Sequence, residues 1–258
     1  MVLSGKPGKY TTGKDIILEI IRMIGVDGAL YRTLEFTGST IEHLTMDDRF
    51  SMCNMAIEAG AKSGIVAYDH ITEAFLSDKN LARTPKIHHS DADASYVQVL
   101  EIDVANLEPV IAYPFLPSNG HSVSQAVSDK IKIDQAFIGS CTNGRLSDLQ
   151  VAAEILKGKK VHPDVRLIVT PGTQMILREA NKLGYIDIIV DAGGVVSNPT
   201  CGACLGGYMG ILGDNEVAVS TTNRNFVGRM GSRSSKVYLA NSAVAAISAI
   251  NGYISDPR

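Results

Sequence analysis

The chain has 258 residues, 45% of them hydrophobic and 20% charged, with a formal net charge of −3. That length supports a sizeable core spread over two lobes, and the balance is that of an ordinary globular protein. The slight acidity argues against a dedicated nucleic-acid binder, and no apolar run approaches the ~20 residues of a membrane-spanning helix. The start of the chain lacks the long apolar core of a signal peptide. Four cysteines are too few for a disulfide scaffold at this length, so a reducing cytoplasm is the expected location.

Taken in order, residues 1–12 read as an entry strand or a loose start. Ile16, Ile17, Ile20, Ile21 and Ile24 recur at helical spacing, which predicts a helix over 14–25 stopped by Gly25. Residues 30–36 read as a strand, and the Thr37-Gly-Ser-Thr40 run that follows as a turn. Thr45-Met-Asp-Asp48 is a capping box opening a helix that runs to Gly60. Asn54 and Glu58 share one face of it, and spacing alone makes that face a solvated one. Beside them Cys53 reads as a buried structural thiol. A buried strand is expected over 65–68 and a short helix over 71–79. The polar stretch 80–95 holds His88, His89, Asp91 and Asp93 without a defined ligand geometry, so a solvated loop is the reading. Alternation over 96–104 predicts a strand, and the proline-rich run 107–117 a lobe boundary or a long connection. His121, beyond that run, is left without a role.

From Asp134 onward strands and helices alternate. Strands are predicted over 136–140, 166–170, 186–190, 217–220 and 237–239. Helices are predicted over 146–156, 173–183 and 242–250. The alternation argues for an α/β protein with a parallel sheet and right-handed crossovers.

Chemistry concentrates at the ends of the apolar runs. Residues 186–190 lead through Gly193 and Gly194 into a loop with Cys201 and Cys204. A Cys-x-x-Cys pair by itself is a zinc half-site, a redox pair or a cluster site. Cys141 supplies a third thiol, at the end of the 136–140 run. Strand ends of this kind are where ligand sites form in open parallel sheets. Three thiols on two such loops, without an obvious fourth ligand, suit an iron–sulfur cluster with one iron left open. Arg224 and Arg229 lie in another loop after a strand. Two such arginines are ordinarily a surface pair, although their guanidinium forks suit a substrate with several carboxylates.

Three motifs occur in order: Ile138-Gly-Ser-Cys-Thr-Asn143, Asn198-Pro-Thr-Cys-Gly-Ala-Cys204 and Thr222-Asn-Arg-Asn-Phe-Val-Gly-Arg229. With them the chain resembles the aconitase superfamily over essentially its whole length. Within it the likeness is to large subunits of the two-chain hydro-lyases, 3-isopropylmalate dehydratases and homoaconitases. The resemblance implies two three-layer αβα lobes with largely parallel sheets, a second-domain equivalent over 1–107 and a third-domain equivalent over 108–258. It implies a 4Fe–4S cluster on Cys141, Cys201 and Cys204. Asn54, Glu58 and Asn223 would be catalytic, and Arg224 and Arg229 would bind substrate. The implied activity is isomerisation of 2- and 3-isopropylmalate in leucine biosynthesis, with homocitrate-like tricarboxylates as the alternative substrates. The implied partner is a small subunit carrying the swivelling domain with its serine base. Family large subunits also have an N-terminal domain with an Asp-Ser-His-Thr motif. Ser90-Asp-Ala-Asp93 does not match it, so the chain is expected to fold yet to be inactive by itself. The rival readings are a zinc or redox protein on the same thiols and a cluster-free RNA-binding or sensory fragment. The acidic balance speaks against the last.

Overall fold

The computed structural model describes residues 1–77, 79 and 83–258. The chain first forms β1 (Val2–Ser4), α1 (Gly13–Ile24), β2 (Thr33–Phe36), α2 (Met46–Met55), β3 (Ser63–Val66), α3 (His70–Ser77) and β4 (Glu101–Asp103). β1 pairs with β4 and β2 with β3, each in parallel. There follow β5 (Val110–Ala112), β6 (Gly120–Ser122), α4 (Val123–Ser128), β7 (Gln135–Gly139), α5 (Ser140–Asn143), α6 (Leu146–Leu156) and β8 (Arg166–Thr170). The chain ends with α7 (Gln174–Lys182), α8 (Tyr185–Asp191), β9 (Val195–Val196), β10 (Val217–Ser220), β11 (Lys236–Leu239) and α9 (Ser242–Asn251).

β5 to β11 make one seven-stranded sheet in the order β6-β5-β11-β10-β7-β8-β9. β11, β10, β7, β8 and β9 run parallel, and the β5–β6 hairpin is antiparallel at one edge. The fold is thus α/β with mostly parallel sheets. The chain enters the parallel part at β7, moves outward through β8 and β9, then returns to the other side of β7 for β10 and β11. This reversal is a topological switch point, the place where open α/β sheets form their ligand sites.

Side chains along the sheet alternate between two cores, the period-2 consequence of the extended backbone. Phe137, Ile168, Ala218 and Leu239 pack with α1 and α2 residues on one face. Ile138, Leu167, Val169, Val219 and Tyr238 pack with α6 and α9 residues on the other. Burial on both faces explains why these strands read as continuous apolar runs.

α1 anchors the first face. Ile16, Ile17, Leu18, Ile20 and Ile21 are fully buried, each worth roughly 2 kcal/mol of burial. Its first turn is tied down by Asp15, which accepts from the Thr12 amide and hydroxyl, from the Val110 amide and from Asn241 Nδ2, all within 2.8–2.9 Å. One carboxylate therefore joins the helix start, the entry to β5 and the start of α9. α2 begins at the expected capping box: Thr45 Oγ1 accepts from the Asp48 amide at 3.2 Å, and Asp48 accepts from the Thr45 amide at 3.1 Å.

Several expectations are corrected. Residues 186–190 are not a buried strand but the body of α8, and only Ile189 is buried. A five-residue apolar run fits either structure by periodicity alone, and here Gly184, left-handed at φ 76°, turns the chain from α7 straight into another helix. The Cys201 loop accordingly follows β9. Residues 65–68 are not a buried strand; β3 ends at Val66 and Ile65 is half exposed. Over 96–104 only β4 forms among the described residues, and Tyr96, Val97 and Val99 stay exposed. The strand expected from residue 30 starts at Thr33. The proline-rich connection hides β5, and β6 and α4 follow it unforeseen. The helix expected over 71–79 is α3; residue 78, and residues 80–82 of the polar stretch, lie outside the described residues.

Candidate functional site

Three loops meet at the carboxyl ends of the parallel strands. The first leaves β7 through Gly139, at φ 147°, and Ser140, at φ 93°, before α5 presents Cys141 and Thr142. A Cβ at Gly139 would collide with the carbonyl of Thr170 on β8, so only glycine lets the chain turn there. The second loop follows β10. Thr221 Oγ1 accepts from the Gly139 amide at 2.8 Å and donates to the Gly139 carbonyl at 2.9 Å, which clasps the two loops together across the switch point. The third loop follows β9 and carries Cys201 and Cys204 on a 3₁₀ turn, with the Cys204 amide 3.0 Å from the Cys201 carbonyl.

α2 delivers the other side of the site. Asn54 Oδ1 accepts from Asn223 Nδ2 at 2.8 Å and from Thr142 Oγ1 at 2.9 Å. Asn54 Nδ2 points at Cys141 Sγ, 3.7 Å away. The amide thus ties α2 to the cysteine loop and to the asparagine loop at one point. The helix expected to run to Gly60 ends at Met55, and a 3₁₀ turn over Ala56–Ala59 carries Glu58 instead, buried, where it accepts from Arg224 Nε at 2.8 and 3.1 Å. Burial raises the Glu58 carboxyl above the ordinary carboxylate range, and the Arg224 guanidinium, Lys14 and Arg229 pull it back. Arg229 stands beside the Cys204 thiol. Burial pushes that thiol up, against the opposing pull of the guanidinium and of the Asn223 amide.

All four cysteines are free. Among the described residues no three His, Cys, Asp or Glu side chains converge on one metal ion. A four-iron cluster makes a different demand, since each thiolate binds its own iron. Cys141 is near enough for its charge to be felt by the Cys204 thiol, and Cys201 heads the same turn as Cys204. Among the described residues Asn223 Oδ1 and Arg229 Nε are buried with no partner, an unmet demand that a group seated between the loops would answer. The donor set and these open polar atoms fit a cluster.

The structure therefore gathers Asn54, Glu58, Cys141, Cys204, Asn223, Arg224 and Arg229, with exposed Cys201 at the rim. It leaves out His88, His89, Asp91 and Asp93, all exposed. His121 sits on β6, its Nε2 3.2 Å from Asn119 Oδ1 and its ring against Tyr113. Cys53 is half buried and turned from the thiol loops, with burial raising its pKa. A groove of about 540 Å³ lies between β2 and residues 95–100, lined by Tyr31, Ile65, Val97 and Val99, and no residue of the site lines it. Two contributors went unread in the sequence. Thr142 was visible only as part of a motif. Lys14 carried a signal, a lysine three and seven residues before Ile17 and Ile21 on the buried stripe of α1.

Over residues 1–252 the chain matches the Aconitase family (aconitate hydratase). It is 90% identical over 256 residues to the 3-isopropylmalate dehydratase large subunit of Sulfurimonas denitrificans, covering 99% of this chain and 61% of that protein. To the protein of the same name from Aliarcobacter butzleri it is 76% identical over 263 residues, covering 100% and 62%. To that of Wolinella succinogenes it is 71% identical over 259 residues, covering 100% and 61%. The chain spans about three-fifths of the length of these curated relatives.

Proposed function

The chain belongs to the aconitase family, and from that premise we propose that it is the cluster-binding part of a 3-isopropylmalate dehydratase large subunit. The reaction would be the interconversion of 2- and 3-isopropylmalate by loss and regain of water. The observation that carries the reading is the junction at Asn54, bonded at once to Asn223 and Thr142 and aimed at Cys141. It joins a thiol loop to polar and cationic groups of the kind a hydroxy-dicarboxylate needs.

Cys141, Cys201 and Cys204 would hold a 4Fe–4S cluster. When bound, it supplies Lewis-acid polarisation of a poor leaving group, the substrate hydroxyl. Asn54 and Asn223 orient the hydroxyl end of the substrate through amide hydrogen bonds. Arg229, and the terminal nitrogens of Arg224 left free by Glu58, take its carboxylates. Glu58 holds Arg224 at the proper angle, and its raised pKa suits a proton carrier beside the leaving group. Proton removal from carbon would fall to a partner, the small subunit that the relatives' name implies. Leu205, Tyr208, Phe226 and Val227 are exposed on the cysteine and asparagine loops and offer such a partner apolar contact around the site. The reading divides the chain at 107/108 and puts it in the cytoplasm, where free thiols persist. Among the described residues no helix is long and apolar enough to cross a membrane.

The test is anaerobic reconstitution with iron and sulfide. Cys141→Ser, Cys201→Ser and Cys204→Ser should each abolish the visible cluster absorbance, while Cys53→Ser should retain it. Equal loss from all four, or zinc in place of iron, would sink the reading.

A further inference from the structure

Lys14 is fully buried. It sits in the first turn of α1 and reaches the far end of β10, where Nζ donates to the carbonyls of Thr221 at 3.0 Å and Thr222 at 2.7 Å. Among the described residues its ammonium has no carboxylate within ion-pair distance. A buried cation without a counter-ion costs several kcal/mol, so its position calls for an explanation in what it holds.

The two carbonyls supply one. The ladder of β10 ends at Ser220, paired with Leu239 and Phe137. Thr221 O and Thr222 O lie just past that end, and no backbone amide among the described residues donates to them. Left alone they would be buried acceptors with no donor, a penalty of about 1–3 kcal/mol each. Lys14 meets both from below. The next two residues are Asn223, bonded to Asn54, and Arg224, bonded to Glu58. Thr221 also clasps Gly139 of the Cys141 loop. The ammonium therefore fixes the direction in which the loop leaves the sheet and, through Thr221, the seat of the cysteine loop beside it.

We propose that Lys14 is a positioning residue of the site, a buried clamp on the backbone from which Asn223 and Arg224 project. The meaning of that site rests on the function proposed above, but the clamp itself is a property of this chain. Among the described residues Lys14 Nζ bonds only the two backbone carbonyls and no side chain of the site. Methionine, a flexible apolar side chain one heavy atom shorter, would fill most of the same space and leave the two carbonyls without donors. Burial lowers its pKa to about 8, opposed by Asp148, Cys204, Asp15 and Glu58, so the clamp is cationic at neutral pH.

The test is hydrogen–deuterium exchange with mass spectrometry on this chain as wild type, Lys14→Met and Lys14→Gln. In Lys14→Met the amides over 221–229 should exchange at least tenfold faster, while those of α6 and β8 keep their protection. Lys14→Gln retains a neutral N–H donor and should show a smaller increase over the same residues, a partial rescue that simple core filling would not produce. Unchanged exchange over 221–229, an equal rise throughout the chain, or failure of both variants to fold would each overturn the clamp. Anaerobic iron loading of the same samples separates the two claims. A wild-type chain that takes up no iron removes the proposed function, and the exchange result still decides the role of Lys14.

Discussion

Arg224 closes on Glu58 from the opposite side of the site, its Nε within 2.8 and 3.1 Å of the two carboxylate oxygens. The pair is asymmetric: the Glu58 side chain is 3% exposed and that of Arg224 37%. Nε of the guanidinium is spent on a protein carboxylate, and the side chain keeps about a third of its surface exposed. A buried carboxylate stripped of its partner is costly, commonly about 3–5 kcal/mol. Arg224 is therefore the counter-ion that lets Glu58 stay where it is, and under the proposed function its remaining nitrogens would bind substrate.

From this pairing, Arg224→Lys in a complete enzyme should lower kcat/KM by more than tenfold, about 1.4 kcal/mol, because an ammonium cannot serve both sides with a planar fork. Arg224→Gln should lower it further and also destabilise the fold, by leaving Glu58 unpaired. Steady-state kinetics and urea unfolding of both variants check this. Wild-type kinetics in the Lys variant would remove Arg224 from substrate binding.

Asn54 is exposed, so its role at the junction can be separated from folding. Asn54→Asp keeps an acceptor for Asn223 and Thr142 but exchanges the donor facing Cys141 for a negative charge. Unfolding free energy should change by no more than about 0.5 kcal/mol. Iron and sulfide content after reconstitution should drop by at least half, because a carboxylate repels a thiolate-bound cluster. Full iron content in the variant would contradict the placement of Asn54 against the cluster loop.

Gly139 holds the turn before Cys141. Gly139→Ala places a methyl group against the Thr170 carbonyl at a φ that L residues avoid. Urea unfolding should show a loss of about 2–4 kcal/mol. Ala substitution at Gly158, where a Cβ meets nothing within 4 Å despite φ +72, should cost only about 1 kcal/mol, the backbone penalty alone. Equal losses at the two positions would mean that the close approach to β8 is not what matters.

Asp148 gives the chain a pH signature. Burial raises its pKa from 3.8 to about 6, against the donors Ser242, Arg145 and Asn143. The folded chain thus holds a proton that the unfolded chain releases near pH 4. The stability this group contributes is complete below about pH 4 and is lost as pH rises through about 6. Asp148→Asn should flatten that part of the stability profile, whatever its effect on overall stability. Urea unfolding at pH 4, 5, 6 and 7 reads the slope, and an unchanged slope would mean that Asp148 is ionised throughout.

Much of the fold was legible in local pattern. The helix over 146–156 and the strands over 166–170 and 217–220 have the bounds that the sequence suggested, because each has strong periodicity or a β-branched run between clear breakers. The helix starts at Thr45 and Thr173 follow from capping chemistry within four residues. Residues 186–190 were not legible, because a short apolar run carries no information on its own period and the helix there depends on the Gly184 turn. β5 and β6 were hidden for another reason: three-residue strands beside prolines exist only because β11 offers an edge to pair with.

For the site, the sequence by itself determined the chemistry: which thiols, amides and guanidinium groups were available, and that they lay just after apolar runs. Only the tertiary structure decided which of them meet. Asn223 and Asn54 are 169 residues apart in the chain, and no local preference brings them within 2.8 Å. That meeting follows from the return of the chain across β7 to form β10 and from the packing of α1 and α2 on the same sheet face. Lys14 shows the division most plainly. Its composition and position on an apolar stripe were in the sequence, but the two carbonyls that account for its burial lie more than 200 residues away, at a strand end that exists only in the folded sheet.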